Sequence, residues 1–477
     1  MNFHIAILGG GPGGYVAAVR AAQLGAEVTL IEKDALGGTC LNRGCIPSKI
    51  FQTTAHVLQQ FKRCQEFGLQ AERTPIVDMP ALLGRKDKVV STQVQGIAKL
   101  LKHNSVTHIK GTGTVEKQGV LHVVTAQGDP LTIDWDALII ATGSEPLNIQ
   151  AFPFDGQTVI SSTDVLNLDR VPESMIIVGG GVIGCEFACI LAELGTRITI
   201  VEALDRLLPL PSVEIGCSKV LQREMKKKKI KFLLNKTVTD VETTHAKASV
   251  SIGPSLFGEN IKAKNHQPQK IEAEKVLVSI GRKSNAQSIG LENIGLTLDE
   301  KGWIAANDQL RTSVENVYAI GDALGPEKVM LAHVASSEGI IAAENAMGGN
   351  RQMNYDAVPG AIFTSPEVAN VGLTEDQAKE KGLNFRADTV LFRTIGKAQV
   401  IGELAGETKI VSDAENGKVL GVHIIGPHAT DLIAEGTLAV TTGRTVQELA
   451  ETIHAHPTLA EVTMETAFKA VGRALHG

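Results

Sequence analysis

The chain has 477 residues, of which 43% are apolar, and a formal net charge of only -6. That length calls for several domains with their own cores. The weakly acidic balance argues against a nucleic-acid partner, which would need a basic face. Six cysteines in so long a chain, with no secretory leader ahead of the strand-like run at His4, do not make a disulfide scaffold. A cytoplasmic location is therefore expected, with any cysteine pair chemical rather than structural. The longest apolar stretch, around Met175 to Ala192, is broken by glycines and carries Glu186, so no membrane insertion is expected.

The first predicted element is an apolar strand, His4 to Leu8, followed by Gly9-Gly10-Gly11-Pro12-Gly13-Gly14 and an Ala-rich helix, Tyr15 to Leu24. A second strand, Ala26 to Ile31, ends on Glu32. This is a dinucleotide-binding unit in which Gly9 makes the turn, Gly11 lets the backbone approach a pyrophosphate and Gly14 allows close helix packing. The helix N-terminus attracts the anion and Glu32 is placed to bond a ribose hydroxyl. Immediately afterwards comes Gly37-Gly38-Thr39-Cys40-Leu41-Asn42-Arg43-Gly44-Cys45-Ile46-Pro47-Ser48-Lys49, two cysteines where a redox-active disulfide would meet a flavin.

Helices are predicted over Ile50 to Gln70 and Pro80 to His103, then a buried strand from Ala137 running into Thr142-Gly143-Ser144. A boundary follows, where Pro146, Pro153 and Gly156 cluster. The chain then repeats itself at an offset of 170 residues: Gly9, Gly11, Gly14, Gly25 and Glu32 return as Gly179, Gly181, Gly184, Gly195 and Glu202. Two complete units predict two dinucleotides, and Glu202 would repel a 2'-phosphate, so the second is read as NAD rather than NADP. Arg206 is the one nearby basic side chain that weakens this reading.

The run Lys226 to Lys229 reads as a solvated helix end. Strands follow at Lys275 to Ile280, before Gly281, and at Asn316 to Ile320, before Gly321-Asp322. From about residue 348, short strands near Ala361 to Phe363, Thr389 to Phe392 and Leu420 to Ile425 alternate with helices near Asp376 to Lys381 and Ala429 to Thr442. The fold class is thus α/β, with two Rossmann-like dinucleotide-binding domains plus a C-terminal α+β domain. The expected divisions are 1–148 for the FAD-binding domain, 149–281 for NAD, 282–347 for a segment completing the FAD site, and 348–477 for the last domain.

A disulfide held against a flavin needs a lowered thiol pKa and a base. Lys49, one helical turn past Cys45, is a source of positive charge, though it also reads as an ordinary surface lysine. The base candidate lies in His454-Ala455-His456-Pro457-Thr458-Leu459-Ala460-Glu461. Pro457 at a first helical position would set His456 at the helix entrance with Glu461 about one turn inside, close enough to orient its ring. A packed loop histidine and a dipole-complementing Glu461 fit the same spacing. Cys64, Cys185, Cys189 and Cys217 read as ordinary thiols. Cys185 and Cys189, at helical spacing but without further ligands, define no metal site.

In order and over essentially the whole chain, the two glycine units, the Cys40 to Cys45 segment, the Gly321-Asp322 strand end and the His456 to Glu461 segment resemble the flavoprotein disulfide reductases. Ile46-Pro47-Ser48-Lys49 and Leu459 look like the members that oxidise dihydrolipoamide rather than those that reduce glutathione. The resemblance implies an enzyme carrying FAD and NAD, a homodimer built by the C-terminal dimerisation domain, and a lipoyl-bearing protein of a 2-oxo acid dehydrogenase complex or a glycine-cleavage system as partner. With no lipoyl arm ahead of the first unit, that carrier is expected on another chain. It implies that Cys40 exchanges with lipoyl sulfur and Cys45 contacts the flavin. His456 with Glu461 would serve the partner subunit's disulfide, and Lys49 would pair with Glu186 beside the flavin. Glu32, Gly113, Thr142, Gly143, Ser144, Asp322, Met330, Leu331, Ala332 and His333 match the family's FAD positions. Gly179, Gly181, Gly184, Glu202, Val238 and Gly281 match those for NAD.

Two positions depart from the family pattern: Arg43 stands where a small apolar residue is usual, and Ser284 where proline is usual after Gly281-Arg282. Arg43 is either a solvated side chain or a charge that favours a thiolate and makes the disulfide more oxidising or reshapes the mouth for a particular lipoyl carrier. Two other functions compete: another NAD(P)H-dependent disulfide or metal-ion reductase of the same family, and a structural subunit of a multienzyme complex. A large thioredoxin or mercuric reductase would carry further C-terminal cysteines, and none follows Cys217.

Overall fold

The computed structural model describes residues 3–73, 75–244, 247–255, 257 and 269–476. The chain forms two compact units, each assembled from three separate stretches: residues 1–50, 78–147 and 281–355 make the first, and 51–77, 148–280 and 356–477 the second.

In the first unit, four parallel strands lie in the order Val317–Ala319, Ala137–Ile140, His4–Leu8, Glu27–Glu32, and Thr107–Lys117 continues the parallel array before turning into an antiparallel extension with Val120–Thr125 and Pro130–Asp134. The central strands are continuously apolar because both faces are covered, which a parallel sheet requires. Helix Pro12–Gln23 crosses helix Ala332–Ala346 at glycines: a Cβ on Gly339 would lie 2.4 Å from the Gly13 carbonyl oxygen. The antiparallel extension is not evident in the sequence pattern, since it is largely exposed on one side and apolar Val124 and Leu131 occupy exposed positions.

In the second unit, five parallel strands run in the order Lys231–Leu233, Arg197–Val201, Ser174–Val178, Lys275–Val278, Val159–Ile160. They share a core with an antiparallel meander of Lys236–Thr243, Ala248–Pro254 and Gln269–Ala273. The same unit holds a five-stranded antiparallel sheet in the order Gly360–Ile362, Glu367–Gly372, Val419–Gly426, Glu407–Asp413, Phe385–Leu391, packed against helices Ala429–Thr442, Val446–Glu451 and Glu461–Ala470. The lysine run closes helix Ile215–Lys227, where cations favour the C-terminal end of the dipole. Among the described residues no helix is long and apolar enough to cross a membrane.

Candidate active site

Both glycine turns are built alike. Gly9 and Gly179 adopt φ of +107° and +103°, a region closed to other residues, and Gly14 and Gly184 pack so tightly that a Cβ would lie 1.8 Å and 2.0 Å from the carbonyl oxygens of Gly9 and Gly179. Around Gly11 a Cβ would meet nothing nearer than 3.9 Å, and around Gly181 nothing within 4 Å. Close packing behind and open space in front is the cradle that a pyrophosphate needs. Each turn opens a helix, Pro12–Gln23 or Val182–Leu194, whose first-turn amides have no side-chain cap.

The strand-end acids are spent alike too. Glu32 accepts the Gly10 amide at 2.7 Å and the Asp34 amide at 2.7 Å, and Glu202 accepts Gly180 at 2.5 Å and Leu204 at 2.8 Å. The clamp thus repeats at the same 170-residue offset as the glycines. A carboxylate offers about four lone-pair sites, so capacity for a ribose remains. Burial pushes Glu32 up, against the Gly10 bond and nearby cations that pull it down. Arg206 donates to the carbonyls of Val213 and Leu210, both at 3.0 Å, so its guanidinium is committed to a loop.

The remaining FAD candidates lie in the first unit. Gly113 sits opposite the first two strands, where a Cβ would lie 2.6 Å from the Leu8 side chain. Thr142, past the end of strand Ala137–Ile140, buries an Oγ1 that has no hydrogen-bond partner among the described residues, an orphan of the kind a ligand satisfies. Gly143 takes φ +69°. The Ser144 hydroxyl donates to Asp322 at 2.5 Å. Met330 and Leu331 lead into helix Ala332–Ala346, whose first turn includes His333.

The candidate set misses three groups here. Arg282 donates to Ser144 Oγ at 2.6 Å and to the Ser144 carbonyl at 2.7 Å, and lies 3.5 Å from Asp322. Burial lowers its pKa while the charges of Asp322 and Cys45 raise it. Glu338 accepts the Gly321 amide at 2.6 Å and the Tyr355 hydroxyl at 2.7 Å, fixing the turn that presents Asp322. The third is Tyr15, whose hydroxyl is pushed up by burial and then by the charge of Cys40. Arg282 was visible as the residue after Gly281, whereas nothing in the sequence marks the other two. Ser284, in place of proline, buries its hydroxyl and accepts the Ala286 amide at 3.0 Å.

Cys40 lies in helix Gly38–Arg43 and Cys45 begins helix Cys45–Lys62, with Gly44 between them. Both are free thiols, and Cys40 hydrogen-bonds Cys45. That bond, then burial, then the charge of Cys45 hold the Cys40 thiol far above its ordinary range, and Lys49 pulls it back. Lys49 therefore acts on the cysteine pair electrostatically. Arg43 instead pairs with Asp34, the two side chains being 41% and 54% exposed. Its guanidinium is therefore half exposed and directed at Asp34.

The second unit carries the other candidates. Gly179, Gly181, Gly184 and Glu202 form its cradle, and Glu186, two residues on, is buried and accepts the Phe363 amide at 2.9 Å. Val238 is a core side chain at a register shift between strands. Gly281 belongs to the first unit, where its carbonyl accepts the Leu147 amide at 3.1 Å. Cys185 is buried and donates to the Gly180 carbonyl at 3.1 Å, a packing role.

The expected helix entrance at Pro457 is corrected. Helix Glu461–Ala470 starts four residues later, so Pro457 lies in the preceding loop and Glu461 is the first helical residue. Two bonds account for this placement: Thr458 donates its hydroxyl to the Ala455 carbonyl at 2.7 Å and its amide to Glu461 at 2.9 Å, closing a turn ahead of the helix. The expected partnership nonetheless forms: His456 Nδ1–H donates to Glu461 Oε1 at 2.9 Å. Burial raises the Glu461 pKa, but the bonds from His456 and the Thr458 amide leave it lowered overall. A carboxylate on Nδ1 fixes the tautomer that leaves Nε2 as the basic atom.

Comparison with known proteins adds the following. Residues 3–339 match the family described as pyridine nucleotide-disulphide oxidoreductase, and residues 358–467 match its dimerisation domain. The dihydrolipoyl dehydrogenase of Chlamydia muridarum is 41% identical over 476 residues, covering 99% of this chain and 98% of that protein. That of Bacillus subtilis is 40% identical over 485 residues, covering 100% and 99%. Among solved structures, LpdA from Mycobacterium tuberculosis superposes with a TM-score of 0.89 at 27% identity, covering 98% and 99% of the two chains. The HOCl-induced flavoprotein disulfide reductase RclA from Escherichia coli gives 0.82 at 25% identity, with the same coverage of 98% and 99%.

Proposed function

The chain belongs to the pyridine nucleotide-disulphide oxidoreductase family, and from that premise we infer that it is a dihydrolipoyl dehydrogenase, oxidising protein-bound dihydrolipoyl groups and reducing NAD+. The observation that carries the reading is the pair of hydrogen-bonded thiols, Cys40 and Cys45, beside the first of two glycine cradles. Bound FAD would supply the two-electron link between that pair and the nicotinamide.

In the proposed division of labour, residues 1–148 and 282–347 serve FAD, 149–281 serve NAD and 348–477 form the subunit interface. Gly9, Gly11, Gly14, Glu32 and Thr142 would hold the flavin nucleotide with Asp322. Gly179, Gly181, Gly184 and Glu202 would hold NAD, and Glu202 with no free cation at Arg206 supports the preference over NADP. His456 Nε2, oriented by Glu461, would take the proton from a dihydrolipoyl thiol bound at the other subunit's disulfide, whose thiolate attacks the Cys40 sulfur of that oxidised pair and displaces Cys45 as thiolate. The second lipoyl thiol then attacks the lipoyl sulfur of the mixed disulfide, its proton passing to the departing Cys40 sulfur, so that the lipoyl ring closes and the pair is left as Cys40 thiol and Cys45 thiolate with one proton on His456. Lys49 would favour the thiolate forms by its charge. The carrier is proposed to be a lipoyl protein of a 2-oxo acid dehydrogenase complex or a glycine-cleavage system. A cytoplasmic setting is proposed because six cysteines in 477 residues do not make a disulfide scaffold.

The test is NAD+ reduction driven by dihydrolipoamide, with NADP+ and glutathione as controls and Cys40→Ser beside the parent. Turnover with NAD+ that Cys40→Ser abolishes is expected. A yellow protein that oxidises NADH yet ignores lipoamide would overturn the reading in favour of another disulfide substrate.

A further inference from the structure

The stretch Glu451 to Pro457 that carries the candidate base is exposed except at one point. Ile453 is 97% exposed and the His456 side chain 75%, yet the ring of His454 between them is only 6% exposed. Both of its nitrogens are engaged. Nδ1 lies 2.8 Å from the Thr452 carbonyl oxygen, and Nε2 lies 2.8 Å from Glu435 Oε1 on helix Ala429–Thr442.

A neutral imidazole has one N–H and one lone pair. A carbonyl oxygen accepts only, and an ionised carboxylate accepts only, so a neutral ring would turn a lone pair toward one of them. The imidazolium satisfies both.

We propose that His454 is a positioning residue held as an imidazolium, which ties the His456 loop to helix Ala429–Thr442 through Glu435 and offsets the negative charge of Glu461. The second part rests on the reading of His456 and Glu461 as the acid/base pair. The charged groups acting on His454 are Glu435 from one helix and Glu461 from another, both acidic, and His454 in turn helps hold Glu461 ionised. The bond to Glu435, opposed by burial, raises the His454 pKa, in the direction the geometry requires. His454 touches no reacting atom in this scheme. It fixes where His456 stands and how strongly that ring holds a proton.

The first experiment is heteronuclear NMR of the holoenzyme labelled with 15N-histidine. Two protonated ring nitrogens on His454 at pH 7 to 8, replaced by a neutral pattern in Glu435→Gln, are expected. A neutral tautomer in the parent enzyme would overturn the proposal. The second is kinetic. His454→Gln should lower kcat with dihydrolipoamide on the order of 10- to 100-fold, the range a misplaced catalytic group costs. KM and stopped-flow flavin reduction by NADH should stay unchanged. The acid limb of the pH profile should move to higher pH, because removing a cation makes a nearby imidazole more basic. Unchanged kcat and pH profile would overturn the positioning role. Failure of the acid/base reading would show separately, as His456→Gln oxidising dihydrolipoamide like the parent enzyme.

Discussion

Gly184→Ala should separate the two dinucleotide sites. A Cβ there would lie 2.0 Å from the Gly179 carbonyl oxygen and 2.9 Å from Ser279 Oγ, whereas ordinary contact begins near 3.4 Å. The Ser279 hydroxyl can rotate away, but the Gly179 oxygen is backbone on a residue held at φ +103°. Helix Val182–Leu194 must therefore retreat by about 1 Å or more, and overpacking of this kind costs roughly 1–3 kcal/mol. Some turns of this type accept alanine at the third position, but only where helix and strand stand further apart. The retreat carries the first-turn amides away from the pyrophosphate. Losing one charge-assisted bond, about 1.5–3 kcal/mol, predicts a Km for NADH raised about 10- to 100-fold. The flavin should stay bound, and dihydrolipoamide should still bleach it in a stopped-flow half-reaction without NAD+. Gly14→Ala, with 1.8 Å to the Gly9 oxygen, should instead give protein deficient in flavin by its absorbance ratio. A Gly184→Ala enzyme with an unchanged NADH Km, or one that loses flavin, would refute the reasoning.

Three further outcomes follow from the geometry. Glu461→Gln keeps the Thr458 bond but turns the ionic bond to His456 into a neutral one, a difference of about 1–1.5 kcal/mol, so kcat/KM for dihydrolipoamide should fall about tenfold while NADH-driven flavin reduction is unaffected. Lys409→Met removes the cation lying 3.0 Å from buried Glu214 and 2.9 Å from Glu375, and should cost about 3 kcal/mol in denaturant unfolding at neutral pH and fixed protein concentration. Burial raises the Glu214 pKa, but the Glu375 amide and Lys409 outweigh it and leave the pKa lowered. The carboxylate's contribution is thus complete above its unfolded pKa and lost as pH falls through the depressed folded value, so the deficit of the variant should shrink on acidification; a deficit independent of pH would sink this account. Arg43→Val breaks only an exposed pair worth about 1 kcal/mol or less and should leave the thiol titration and the reduction potential unchanged.

The sequence and the structure agree where a short period and a steric demand coincide. The strand His4–Leu8, the glycine turn and the acid at Glu32 are each local requirements of one turn, and their return 170 residues later is legible because the same contacts recur, down to the amides of Gly10 and Gly180. The antiparallel strands between Thr107 and Asp134 escape because apolar Val124 and Leu131 stand on exposed positions and break the alternation. Helix Ala332–Ala346 escapes because it buries Glu338 and Asn345, whose partners lie elsewhere in the unit. Spacing places Glu461 within reach of His456 but sets the helix start too early, since Pro457 has the signature of a helix opener and the Thr458 turn that delays the helix leaves no mark in the spacing.

Arg43 makes the same point from the other side. Its position between the cysteines suggested a charge on the thiols, and only side-chain direction, which sequence spacing does not contain, sends it to Asp34. His454 and His456, two residues apart, look equivalent in a sequence. Burial tells them apart: the His454 ring is enclosed with both nitrogens occupied, and the His456 ring is exposed with one nitrogen oriented by a carboxylate.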